Sequence, residues 1–154
     1  MNAKDEIIVE MAYFGDSDIR NTIIEKVKEW ISVKIIMPEK ANVQDDLNKM
    51  EVNKILKQCE GYNNLEVYQY SKMVHAKVLH VDGTKTFFGS ANMNKKATDV
   101  LWETNIFIND AECEFTCELR TQLHLHINDS KKVDKLMYYR WWKAIAEKVE
   151  AEHL

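Results

Sequence analysis

Apolar and polar positions change period several times along this chain, and the changes divide it into elements. "EIIVEMAYF" (6–14) is a run of β-branched and aromatic residues, which predicts a strand. The polar "DSD" (16–18) offers N-cap side chains. After it Ile19, Ile23, Val27 and Trp30 recur at helical spacing, predicting an amphipathic helix to about Trp30. "SVKIIM" (32–37) is strand-like again and stops at Pro38. Strand, helix and strand in that order predict a right-handed βαβ unit with parallel strands. A second helix is expected over roughly Asp45 to Cys59, with Gly61 at C′.

Three strand-like runs follow closely: "LEVYQY" (65–70), "MVHAKVLHV" (73–81) and "KTFFGS" (85–90), with Asp82-Gly83 as a hairpin turn. "WETNIFI" (102–108) is expected to be another strand. From about Asp110 the pattern is helical in two parts, the second being "KLMYYRWWKAIAEKVEAEHL". In that helix Leu136, Tyr139, Trp142 and Ile145 are expected to pack on the domain, contact of "YYRWW" (138–142) with a membrane interface being the alternative. The sum is an α/β fold, a mixed β-sheet flanked by helices on both faces, in a single domain over 1–154.

Composition changes this picture little. Hydrophobic residues make up 45% and charged residues 30%, with one proline and four glycines, which argues against a disordered chain. The three cysteines, Cys59, Cys113 and Cys117, form no zinc pattern and are expected to be free thiols. No secretory leader or membrane span is visible, because "IIVEMAYF" is too short and lacks a basic flank. The net charge of -4 weighs mildly against a protein devoted to phosphate backbones. Locally the balance reverses: between Ser71 and Lys96, Lys72, Lys77, Lys85, Lys95 and Lys96 face only Asp82, a net +4. One bound anionic group would suit that stretch.

Candidate chemistry lies in the same stretch, "HAKVLHVDGTKTFFGSAN" (75–92). In a strand His75 and Lys77 share a face, while His80 and Asp82 point the other way. A neighbouring ammonium disfavours imidazolium and leaves a neutral, nucleophilic imidazole, and the same lysine can hold an anionic oxygen. Gly89 permits close backbone approach, and Ser90 and Asn92 can donate to phosphoryl oxygens. Glu103 could accept the Nδ1 proton of His75. The other histidines, His80, His124, His126 and His153, read as structural, and Asp82 as a turn or strand-pairing residue.

The spacing His75-x-Lys77-x-x-x-x-Asp82, then six residues, then Gly89-Ser90-x-Asn92, resembles the HxKxxxxD…GSxN signature of the phospholipase D superfamily. The segments before and after resemble the same family, and "CELRTQLHLHI" resembles the ending of some members. Within it the likeness is to the C-terminal half of a cardiolipin synthase or phospholipase D-like protein. The resemblance implies metal-independent hydrolysis or transfer at a phosphodiester through a phosphohistidine, with no cofactor. It makes His75 the nucleophile or the acid/base. Lys77, Ser90 and Asn92 would bind phosphate, Glu103 would orient the imidazole, and Asp82 and Gly89 would be structural.

The chain carries a single copy of the motif, and "HLHIND" (124–129) lacks the lysine. The second motif is expected from a homodimer partner or a missing N-terminal half, the latter favoured by the abrupt start on a strand. Phospholipid is the leading substrate and nucleic acid the alternative, through a homodimeric endonuclease. A third reading is a non-catalytic binding module. The implied location is cytoplasmic, or membrane-associated in a full-length protein.

Overall fold

The computed structural model describes residues 2–95, 97 and 101–153. Lys96, counted above in the basic stretch, lies outside them. Strand β1 (Glu6–Met11) and β2 (Ser32–Pro38) pair in parallel around helix α1 (Ser17–Lys28). Helix α2 (Asp45–Gln58) then leads to β3 (Leu65–Tyr70), parallel to β2. The chain next crosses to the other side of β1, where β4 (Lys77–Val81) runs antiparallel. Strands β5 (Lys85–Gly89) and β6 (Asn105–Asn109) extend that side as antiparallel neighbours. Helix α3 (Glu114–Asn128), β7 (Ser130–Lys132) and helix α4 (Trp141–His153) complete the order. The sheet reads β6-β5-β4-β1-β2-β3-β7.

Side-chain alternation in β1 assigns the two faces. Ile7, Val9 and Met11 join Ile23, Ile24 and Val27 of α1 and Val52 and Ile55 of α2 in the larger core. Ile8 joins Ile36, Val78 and Leu123, with Leu119 and Ile127, beneath α3 on the opposite face. The βαβ unit and the two-sided helix cover match the expectation from the sequence.

Helix α1 begins where the polar triplet predicts: the Asp16 carboxylate accepts the Asp18 and Ile19 N–H groups at 2.8 and 3.0 Å. It ends earlier than Trp30, which adopts a left-handed φ of 63° and lies exposed, tilted against the Tyr62 ring. Three further boundaries differ from the pattern. β4 begins at Lys77, so His75 precedes the strand; β6 begins at Asn105, so Glu103 does as well; and β7 has no apolar alternation to announce it. The predicted last helix starts only at Trp141. The pattern placed Leu136, Trp142 and Ile145 on the domain; the structure corrects this, leaving all three exposed and only Tyr139 packed against the α2–α4 contact. The preceding backbone is held against α2 instead: Asn53 exchanges two hydrogen bonds with Met137, at 2.8 and 2.9 Å, and Asp46 accepts the Arg140 N–H at 2.8 Å. Side chains that satisfy the backbone externally remove the reason to coil.

Candidate active site

The site forms where the C-terminal end of β1 meets the residues leading into β4. Ala12 donates its N–H to the Ala76 carbonyl at 3.1 Å, extending the β1–β4 pairing by one step past the regular strand. Buried Asn48 of α2 fixes the chain leaving β1, accepting the Phe14 N–H at 2.8 Å and donating to the Ala12 carbonyl at 2.7 Å. Tyr13 is thereby turned edge-on to the His75 ring, with centroids 6.3 Å apart and planes at 77°. Its hydroxyl donates to Asn42, and burial raises its pKa above the ordinary 10.0. Neither Tyr13 nor Asn48 was singled out in the sequence. The approach of Tyr13 to His75 depends on the antiparallel β1–β4 pairing, which no local signal reports.

His75 is exposed at the surface, and Lys77 beside it is only 8% exposed. The Lys77 Nζ lies 3.2 Å from each ring nitrogen of His75 and donates to its carbonyl at 3.0 Å. Burial lowers the Lys77 pKa below 10.5, and the nearby Glu103 carboxylate opposes that shift. A partly desolvated ammonium beside an open imidazole is an arrangement that an anionic oxygen would complete.

The remaining motif residues come from the end of β5. Ser90 continues the β5–β6 pairing by donating its N–H to the Thr104 carbonyl at 3.0 Å. That register places Ser90 opposite Glu103: the serine hydroxyl donates to the Glu103 carboxylate and accepts the Thr104 N–H at 3.0 Å. Glu103 therefore holds Ser90 within this chain, where the sequence suggested it would hold His75. Gly89 has a steric reason to be glycine, since a Cβ there would lie 2.2 Å from the Thr104 carbonyl oxygen and 2.7 Å from the Asn105 Cα. Asn92 lies on the same side, its Oδ1 buried and without a hydrogen-bond partner among the described residues.

Lys77, Asn92 and Lys85, with Leu79, Phe87 and Phe107, line an open and mainly apolar cavity of about 850 Å³. Leu79, Phe87 and Phe107 lie across from one another on β4, β5 and β6, and the two phenylalanine rings stack at 4.4 Å. Both rings are exposed, because α1 and α2 cover the other half of this sheet face.

Asp82 sits at the far end of β4 from His75. With φ of 53° it makes the turn, and its carboxylate accepts the Lys4, Asp5 and Glu6 N–H groups at 2.9–3.1 Å. Burial alone would raise its pKa, but the three backbone donors outweigh that and hold it below 3.8. His80 is buried on the α3 face and bonds Thr86 at 2.9 Å; burial, reinforced by Arg120, lowers its pKa. His126 bonds Glu10 at 2.8 Å. Burial pushes the Glu10 carboxyl up, and His126 opposes the shift.

A family model described as "Cardiolipin synthase, PLD-like domain" matches residues 1–127. The chain belongs to this family. Among curated relatives, a probable cardiolipin synthase of Bacillus subtilis, YwiE, is 27% identical over 143 residues, covering 90% of this chain and 27% of the relative. Cardiolipin synthase B of Salmonella typhi is 27% identical over 146 residues, covering 91% and 34%. The chain thus spans about a third of the length of these relatives or less. Among solved structures, the phospholipase D family member Nuc from Salmonella typhimurium has a TM-score of 0.74 at 20% identity, covering 87% of this chain and 85% of that one. Phosphatidylserine synthase of Haemophilus influenzae has a TM-score of 0.80 at 14% identity, covering 99% of this chain and 42% of its own. These likenesses establish the fold: a PLD-like unit the size of one Nuc chain and of less than half the synthase.

Proposed function

We propose that this chain supplies half of a phospholipase D-type active site, acting on phospholipid phosphodiesters by hydrolysis or phosphatidyl transfer. The observation that carries the reading is the His75–Lys77 pair, an exposed imidazole with a buried ammonium 3.2 Å from its nitrogens, opening on a mainly apolar cavity. A phosphate oxygen would take the place beside Lys77 that the imidazole now fills. Asn92 lines the same cavity as Lys77, and the apolar strands would receive the hydrocarbon next to the headgroup.

In this reading one histidine nitrogen attacks phosphorus, the ester bond to the leaving alcohol breaks, and a second histidine donates the proton the alkoxide requires. Water or an acceptor alcohol then gives its proton to that second histidine and attacks the phosphohistidine, restoring the free imidazole. His75 fills one of these roles. The other histidine comes from a second copy of the motif, in a partner chain or another lobe.

The matched relatives named as cardiolipin synthases support the lipid substrate. A homodimeric endonuclease is the second reading, favoured by a chain length close to that of Nuc. Changing His75 to Ala tests both. Turnover of phosphatidylglycerol, or of DNA in the second reading, should fall by about 10³-fold or more with the melting temperature unchanged. Activity that survives the change would end the proposed mechanism.

A further inference from the structure

The loop that leaves β1, residues 12–16, is tied to both halves of the motif. At one end Ala12 donates to the carbonyl of Ala76, the residue between His75 and Lys77. At the other, Gly15 and Asp16 donate their N–H groups to the Met93 carbonyl at 2.8 and 3.1 Å, directly after Asn92. Phe14 forms a parallel bridge with the same Met93. Gly15 approaches so closely that a Cβ there would stand 3.3 Å from the Asn94 Cβ. One short stretch of backbone therefore sets how the His75–Lys77 pair stands relative to Asn92.

That stretch has little freedom of its own. Asn48 is fully buried, and its amide is bonded on either side of Tyr13, to the Phe14 N–H and to the Ala12 carbonyl. Phe14 is anchored in the larger core. Tyr13 is 7% exposed, and its hydroxyl donates to Asn42 in the loop before α2. Burial raises the Tyr13 pKa, so the hydroxyl keeps its proton and the bond to Asn42 persists at neutral pH. His75 is less confined. Its ring is exposed, and the Lys77 Nζ lies 3.2 Å from both ring nitrogens, a contact that favours neither. Glu103, the carboxylate expected to orient the imidazole, is bonded to Ser90 instead. The orienting role falls to another neighbour, and the Tyr13 ring stands edge-on to His75.

We propose that Tyr13 is the positioning residue of His75. Its ring confines the imidazole to one rotamer, while Asn42 and Asn48 hold that ring in place. Edge-on contact between aromatic rings is directional and restrains a ring without adding a charge. Once a phosphate oxygen takes the place beside Nζ that the imidazole fills, the Tyr13 ring is the neighbour that remains. Lost orientation lowers the rate rather than the affinity, because Lys77 and Asn92 would hold the phosphate through other atoms. The catalytic part of the proposal rests on the phospholipase D-type reading of the site; the geometric part does not.

Two measurements test it. In the free chain, with isotope-labelled histidine and tyrosine, the Tyr13 and His75 rings should give mutual NOEs, and the His75 couplings should fit one χ1 rotamer. Tyr13→Leu should average those couplings while the amide spectrum stays that of a folded chain, and Tyr13→Phe should keep the single rotamer. In a particle that holds two motifs, Tyr13→Leu should lower kcat for phosphatidylglycerol about 100-fold with KM changed by about twofold or less. Tyr13→Phe keeps the ring and should lose about threefold. Should Tyr13→Leu fail to fold, Tyr13→Met fills more of the space and gives the same two readouts. A single His75 rotamer in the leucine variant, an unchanged kcat, or a loss carried by KM would overturn the proposal. So would a Tyr13→Phe variant as slow as Tyr13→Leu, which would make the hydroxyl a substrate contact. Averaged couplings in Tyr13→Leu, with no turnover from any unaltered preparation, would support the positioning role and end the phospholipase D-type reading.

Discussion

Lys77 carries an electrostatic cost that the fold sustains. Its ammonium is buried at the start of β4, burial lowers its pKa, and among the described residues Glu103 is the nearby carboxylate that offsets it. Methionine at this position keeps much of the stem and removes the charge. Lys77→Met should therefore raise the melting temperature while lowering phosphodiester turnover by about 10²- to 10³-fold; thermal melts paired with kinetics at saturating substrate check both halves. At the other end of the strand, Asp82 has its pKa depressed by three backbone donors. A depressed carboxylate contributes stability that is present above its unfolded value, about 3.9, and is lost as pH falls through the folded value. Urea melts should show stability falling below about pH 4, and Asp82→Asn should be less stable at neutral pH and lack that part of the slope.

Between elements, helix α3 is tied to the sheet by an ionisable pair, half-buried His126 on buried Glu10. Glu10 is 3% exposed and bonds His126, whose ring also lies tilted against Tyr70 with centroids 4.7 Å apart. His126→Ala would leave the carboxylate buried without that partner, at a cost of about 3 kcal/mol. Glu10→Leu/His126→Leu should recover most of the loss, measured as denaturation midpoints of the two variants. This pair also marks what the sequence conveys. Strands β1 to β5 and helices α1 and α2 were legible because their apolar periods and caps are local, as at Asp16 and Asp82-Gly83. Strand β7 and the extended run before α4 were not. Their backbones are satisfied by distant partners: β3 pairs with β7, and Asn53 and Asp46 hold Met137 and Arg140. The spacing in the sequence names His75, Lys77, Ser90 and Asn92 as candidates, but Glu103's attachment to Ser90 follows from β5–β6 register, which only the sheet displays.

At the scale of the whole molecule, the fold is one PLD-like unit with one His75–Lys77 pair and an uncovered sheet face beside it. The proposed chemistry needs a second imidazole for the leaving group, so activity should belong to a particle holding two motifs. The most direct test is turnover of phosphatidylglycerol, measured across size-exclusion fractions whose masses are fixed by light scattering, for the unaltered chain and for His75→Ala. The account predicts turnover confined to fractions of two-chain mass, or appearing only when a second motif-bearing lobe is added, and background rates for His75→Ala throughout. Turnover by a single-chain particle, or by His75→Ala, would contradict it.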